Sequence, residues 1–196
     1  MKAVIEHAKR IVQQKLKHHP KRLKHVYGVA QTAVQLARVY GVDEDAAMLA
    51  GLMHDCAKYD DLSLQQKDLD EQTIKRYQAF PVIFHALAAA KIIEQELDVH
   101  DETILLAVKH HVFGRPNMTM LEKIIYVADA CEPNRPYQDI HDIYELATKN
   151  LDQAVLYCMT NSFDHLKRQG LTPSPESLKA YAYYKEVTRD ITRNDR

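Results

Sequence analysis

Glycine is scarce in this chain, at 5 residues in 196. A sandwich or barrel built on tight hairpins needs many positions of positive φ, so a turn-rich β architecture is disfavoured. Cysteine is scarcer still. Cys56, Cys131 and Cys158 stand apart with no CxxC pair. Three thiols cannot all pair within one chain, which argues against a disulfide scaffold or a zinc ribbon and for a reducing, cytoplasmic setting. No stretch approaches the roughly 18 uninterrupted apolar residues of a membrane span. The N-terminal MKAVIEHAKRIVQQKLKHHPKR lacks the continuous apolar core of a signal peptide. A surplus of either charge is missing too, with 26 Lys and Arg against 27 Asp and Glu and a net charge of -1. That balance does not fit a dedicated nucleic-acid binder, and it leaves room for a local basic pocket that holds phosphate.

What is present reads as helix. Apolar residues make up 46% and charged residues 27%, ordinary values for a globular protein. The length suits a single domain over 1–196. Within it, a core of about 18–135 would be completed by C-terminal helices over about 138–189, with a frayed tail at 190–196. Residues 1–17 carry Val4, Ile5, Ala8, Ile11, Val12 and Leu16 on one face. Pro20 breaks the pattern, and a second helix runs to Tyr40, stopped by Gly41. Asp43 starts a third. Residues 59–80 read as polar and irregular, with one short helix. Further helices follow from Pro81, from Asp101 and around Leu121 to Ala128. Another spans about 138–169 with a break, and the last runs over 175–189, with Ser174 as N-cap and Pro175 at its first position. No run alternates like a strand, so the fold class is all-α.

Histidine is abundant, at 11 residues, and its placement carries the chemistry. Gly51-Leu52-Met53-His54-Asp55 puts an imidazole beside a carboxylate at the end of an apolar helix. Such a pair suits a borderline divalent ion such as iron, manganese or zinc. His25 shares a stripe with Val29, Ala33 and Leu36. His54 follows Ala47 and Ala50, His85 precedes Ala88, Ala89 and Ile92, and His111 follows Ile104, Ala107 and Val108. Asp129 continues the stripe of Leu121 and Ile125. All five therefore face the core. A lone inward histidine is ordinarily a hydrogen-bonded core residue. A carboxylate on a buried stripe, however, is costly unless paired or bound to a metal. One dinuclear centre, built from facing helices as bundles commonly do, accounts for four histidines and two aspartates at once. Periodicity alone admits either His110 or His111.

The order H, HD, H, H, D on successive helices resembles the HD phosphohydrolase superfamily. Three segments, HVYGVAQTAVQLARVYGVDEDAAMLAGLMHDCAK, HALAAAKIIEQEL and HHVFGRPNMTMLEKIIYVADACEPNR, are similar to the YqeK-type symmetrical bis(5'-nucleosyl)-tetraphosphatases. The likeness spans roughly residues 18–185. It implies a single HD-type helical bundle with metal ligands at His25, His54, Asp55, His85, His111 and Asp129, and so selects His111 over His110. It further implies two divalent ions, iron foremost and manganese or another ion otherwise, and cleavage of diadenosine tetraphosphate to two ADP. Asp55, with two carboxylate oxygens, is the natural bridge. The family's HD-x-x-K pattern singles out Lys58 to stabilise the transferring phosphate.

Further phosphate contacts are expected from Arg22, one turn before His25, and from Arg115 and Arg135 in the loops after the His111 and Asp129 helices. Ser174 and Ser177, at the start of the last helix, form a weaker candidate anion seat. The substrate is then a dinucleoside polyphosphate. No membrane and no dedicated nucleic-acid binding is expected, and a homodimer is compatible with the chain. Three other readings remain at this point: an HD nucleotidase or phosphodiesterase on another nucleotide, a di-iron oxygenase on the same ligand order, and a non-catalytic nucleotide sensor.

Overall fold

The computed structural model describes residues 1–136 and 138–194, the side chains of 190–194 excepted. The described residues form eleven α-helices and no strand. These are α1 Lys2–Lys15, α2 Pro20–Tyr40, α3 Glu44–Met53, α4 Leu62–Gln66, α5 Glu71–Tyr77, α6 Phe84–Glu96, α7 Glu102–His110, α8 Met120–Cys131, α9 Ile140–Lys149, α10 Leu151–Arg168 and α11 Pro175–Asn194, with a 3-10 turn at Pro81–Ile83 before α6. The all-α expectation holds.

The stops and starts follow from local chemistry. Gly41 closes α2 in the left-handed region, at φ 64°. Asp43 caps α3 by accepting from the backbone N–H of Asp45 and Ala46, and Asp101 caps α7 through Thr103 N–H. Thr119 and Glu122 form a reciprocal capping box at the head of α8. Asn150 supplies the break foreseen within 138–169: its extended backbone ends α9, and its side chain caps α10. Ser174 accepts from Ser177 N–H at 3.1 Å and starts α11.

The segment 59–80 departs from expectation by holding two helices. They lack a readable stripe because α5 buries nothing and α4 buries only Gln65. That glutamine donates to Ala57 O and Asp60 O, at 3.0 and 2.9 Å, and so pins the turns that follow α3. The backbone of α11 runs to Asn194, and residues 195–196 of the frayed tail expected over 190–196 lie outside those described.

Helix α2 packs on α3 and α8, α7 on α8 and α6, and α3 reaches α6, α7 and α8. The C-terminal end of α3 is therefore central. Leu49, Leu52 and Met53 are fully buried there, each a gain of roughly 1.5–3 kcal/mol over exposure. Gly51 allows the closest approach: a Cβ at that position would lie 2.6 Å from Ala30 Cα on α2. Tyr184 of α11 is buried as well, and its hydroxyl accepts from Met118 N–H at 3.0 Å, tying the C-terminal helices to the loop before α8.

Candidate metal centre

Five helices deliver six side chains to one point. His25 projects from the second turn of α2, His54 and Asp55 stand just beyond α3, and His85 sits in the first turn of α6. His111 follows α7, and Asp129 lies in the last turn of α8. The four histidines and Asp55 are buried, whereas the Asp129 side chain is 23% exposed and marks the rim.

Asp55 divides the cluster. Its Oδ1 lies 2.9 Å from His85 Nε2 and 3.5 Å from His111 Nε2. Its Oδ2 lies 3.5 Å from His54 Nε2 and 3.9 Å from His25 Nε2. Asp129 Oδ1 belongs to the second half, 3.0 Å from His25 Nε2 and 3.8 Å from His54 Nε2. Two groups of ligand atoms result, His25–His54–Asp55 and Asp55–His85–His111, each close enough to surround one ion.

The remaining ring nitrogens fix the tautomers. His54 Nδ1 donates to Gly51 O and His111 Nδ1 to Val108 O, both at 2.7 Å, while His25 Nδ1 donates to Glu132 Oε1 at 3.0 Å. With the proton on Nδ1, each Nε2 presents a lone pair to the cluster. His25 Nε2, His54 Nε2 and Asp55 Oδ1 are buried and make no hydrogen bond. Orphaned groups of that kind cost about 1–3 kcal/mol each. Divalent ions among these atoms remove that cost, so the donor set fits a metal.

Charge states agree. Burial pushes the His54 imidazole down to about 3 and the His85 imidazole down to about 4. For Asp55, burial alone would raise the carboxyl, but His54, His111, His85 and Lys58 together hold it well below its usual range. Asp129 is held low against burial by Arg135 and His25. Neutral imidazoles beside ionised carboxylates are what metal ligation requires.

The cations sort less uniformly. Helix α3 ends at Met53 and does not continue to Lys58. A series of i to i+3 turns carries the chain on, and they still place Lys58 Nζ 3.2 Å from His85 Nε2 and 3.6 Å from Asp55 Oδ1. Arg22 Nη1 donates to Asp55 Oδ2 at 2.7 Å. Arg135 bonds both the backbone oxygen and the carboxylate of Asp129. Arg115 is placed elsewhere. Its Nε and Nη2 hold both oxygens of Glu122, at 2.7 and 2.6 Å, beside a cleft of about 320 Å³ that His110, Tyr77, Phe113 and Lys179 also line. Ser174 and Ser177, the expected anion seat, are buried and bonded to each other, Ser174 Oγ donating to Ser177 Oγ at 3.0 Å.

Two buried carboxylates escaped the sequence reading. Glu122 takes His110 Nδ1 at 2.6 Å as well as Arg115, so His110 is committed away from the cluster. Glu132 backs His25. The capping-box spacing Thr119-x-x-Glu122 was a usable signal for the first. For the second, the signal was an acid three residues past Asp129, just before Pro133.

Residues 22–134 match the HD domain family model. The chain is 35% identical over 183 residues to a symmetrical bis(5'-nucleosyl)-tetraphosphatase of Bacillus subtilis, covering 90% of this chain and 95% of that one. It is 34% identical over 178 residues to a protein of the same name from Halalkalibacterium halodurans, covering 89% and 93% respectively. Among solved structures, a Clostridium acetobutylicum protein described as a predicted HD superfamily hydrolase involved in NAD metabolism superimposes with a TM-score of 0.83 at 30% identity, over 92% of this chain and 96% of that one.

Proposed function

This chain belongs to the HD domain family, and from that footing we propose that it is a metal-dependent hydrolase that splits diadenosine tetraphosphate symmetrically into two ADP. The observation that carries the reading is Asp55 set between two groups of buried imidazole lone pairs, within a chain similar over nine-tenths of its length to symmetrical bis(5'-nucleosyl)-tetraphosphatases.

His25, His54, Asp55 and Asp129 would hold one divalent ion, and Asp55, His85 and His111 the other. Iron is the first choice for this mixed imidazole and carboxylate set, with manganese next. Such ions supply a nucleophile from water at neutral pH and offset charge on phosphate oxygens. The remaining work falls to the chain. Lys58, against His85 and Asp55, places an ammonium where the transferring phosphate develops charge. Arg22 and Arg135, each on a ligand carboxylate, can exchange part of that pairing for the flanking phosphates. Water entering at the central linkage leaves two phosphates on each nucleoside. All six ligand positions are filled by competent residues, which supports an enzyme over a sensor. Three free, buried cysteines support a cytoplasmic setting.

The test is product analysis. Protein loaded anaerobically with iron or manganese is incubated with diadenosine tetraphosphate and the products are separated by ion exchange. ADP alone is the expected product. ATP plus AMP would reject central attack, and the absence of turnover with either metal would reject the substrate.

A further inference from the structure

We infer that Glu132 is a positioning residue for His25, and that Gly28 is glycine because Glu132 occupies the space a side chain would need. The inference rests on the reading of the cluster as a dinuclear metal site, and it assigns one half of that site a distinct support.

The need for Glu132 follows from where the histidines sit. His54 and His111 stand at the C-terminal ends of α3 and α7, where the last carbonyls lack the i to i+4 bond of the helical ladder and Val108 O takes from the backbone only the His111 N–H, at 3.5 Å. Each ring therefore finds an acceptor three residues back on its own chain, Gly51 O and Val108 O. His25 lies inside α2, where the neighbouring carbonyls are engaged in the helical ladder. Its Nδ1 proton must be received from outside, and the acceptor comes from 107 residues along the chain.

Glu132 is built for that role. It is 0% exposed. Its Oε1 receives His25 Nδ1 at 3.0 Å, and its Oε2 receives Asn134 N–H at 2.8 Å and Asn134 Nδ2 at 2.7 Å. The carboxylate is thus oriented from behind and spends one oxygen on the imidazole. A Cβ on Gly28, one turn after His25, would stand 2.1 Å from that Oε2 and 2.8 Å from Asn134 Nδ2. A carboxylate behind a ligating imidazole fixes the ring, keeps the proton on Nδ1 and raises the basicity of Nε2, and losing such a partner weakens metal affinity about 10–100-fold. Carbonyl-backed His54 and His111 lack that charge, so the effect falls on the ion held by His25, His54, Asp55 and Asp129.

The experiment is an anaerobic titration of metal-stripped protein with Co(II), followed by its visible absorption, on wild type, Glu132→Gln and Gly28→Ala, with the thermal midpoint of each metal-free protein measured alongside. The expected result is two bound ions in wild type. In each variant one ion should weaken about 10–100-fold while the other stays within about twofold. A role in packing alone would lower the metal-free midpoint without separating the two affinities, and that result would overturn the inference. Wild-type affinities in both variants would overturn it too, as would failure of both variants to fold. If wild type bound no Co(II), the metal reading would fall and this inference with it, whereas two ions bound by wild type and variants alike would leave the metal reading standing and remove only Glu132.

Discussion

Arg22 donates to Asp55 from the neighbouring helix, with Nη1 2.7 Å from Oδ2, so the carboxylate shared by the two groups of ligand atoms is also the anchor of a cation at the rim. One N–H of a five-donor fork holds the side chain in place, and the fork suits phosphate oxygens. Arg22→Ala is expected to lower kcat/KM for diadenosine tetraphosphate by on the order of 10²-fold with metal content unchanged, and Arg22→Lys to recover part of the loss. Steady-state kinetics with metal analysis on the same preparations decides this. Unchanged kcat/KM in Arg22→Ala would leave the arginine no role beyond its pairing with Asp55.

Asp55 is where both groups of ligand atoms meet, so on the proposed reading its removal would affect two ions at once. Asp55→Ala should drop hydrolysis to background and metal content below one ion per chain, with the far-UV helical signal retained, because Leu49, Leu52 and Met53 hold the end of α3 independently of the cluster. An active, metal-free Asp55→Ala protein would contradict the proposed chemistry.

Acid should unfold the metal-free protein early. His54 and His85 are held at about 3 and about 4 by burial, against 6.5 in an unfolded chain. Between those values the unfolded state binds more protons than the folded one. Stability is therefore complete above about pH 6.5 and falls as pH drops from there toward 4, by about 1.4 kcal/mol per pH unit for each histidine. Chemical denaturation of chelator-treated protein should show a loss of about 4 kcal/mol between about pH 7 and pH 5. An unchanged denaturation midpoint over that range would mean that these imidazoles are accessible to protons in the folded state.

Five of the six candidate ligands were legible because they continue apolar stripes with helical spacing, and Asp55 because it adjoins His54; all six lie together in the structure. His25 aligns with Val29, Ala33 and Leu36, and all four are buried. The choice of His111 over His110 was not legible from periodicity, since the two lie side by side at the end of α7. In three dimensions Glu122 engages His110, while His111 Nε2 lies 3.5 Å from Asp55 Oδ1. Loop arginines were read by type alone. Arg135 does reach a ligand carboxylate, while Arg115 turns to Glu122, a buried acid visible only as a capping-box position. Helices α4 and α5 carry too few buried positions to leave a pattern. Glu132, directly past the end of α8 and before Pro133, looks in sequence like any loop acid.

Arg115 holds both oxygens of the buried Glu122, a pairing that supports the fold. Burial would raise the Glu122 carboxyl, yet His110 and Arg115 hold it down to about 2. Removing one member of a buried ionic group is costly because the other is left uncompensated. Glu122→Ala should lose about 3–5 kcal/mol of stability. Arg115→Ala should lower Tm by a smaller amount and leave kcat/KM within a few-fold of wild type. Calorimetry and kinetics on the two variants separate the effects. A large rise in KM for Arg115→Ala at unchanged Tm would instead place that guanidinium on substrate phosphate.

Gly51 shows how packing and chemistry are joined at α3. Exchange to alanine inside a helix ordinarily gains up to about 1 kcal/mol. Here the new Cβ would lie 2.6 Å from Ala30 Cα and 3.0 Å from Ala30 N, backbone atoms that cannot swing aside. Helices α2 and α3 would have to separate, at a cost of about 1–3 kcal/mol. His54 and Asp55 follow directly on α3 and His25 stands on α2, so the same separation widens the His25–His54–Asp55 group. Gly51→Ala should therefore weaken metal binding as well as stability. Gly41→Ala is the control: φ is 64° with nothing within 4 Å, so backbone strain lowers Tm while the cluster is untouched. Metal titration and thermal unfolding of both variants test the difference, and equal metal affinity in the two would show that the α2–α3 spacing does not set the ligand geometry.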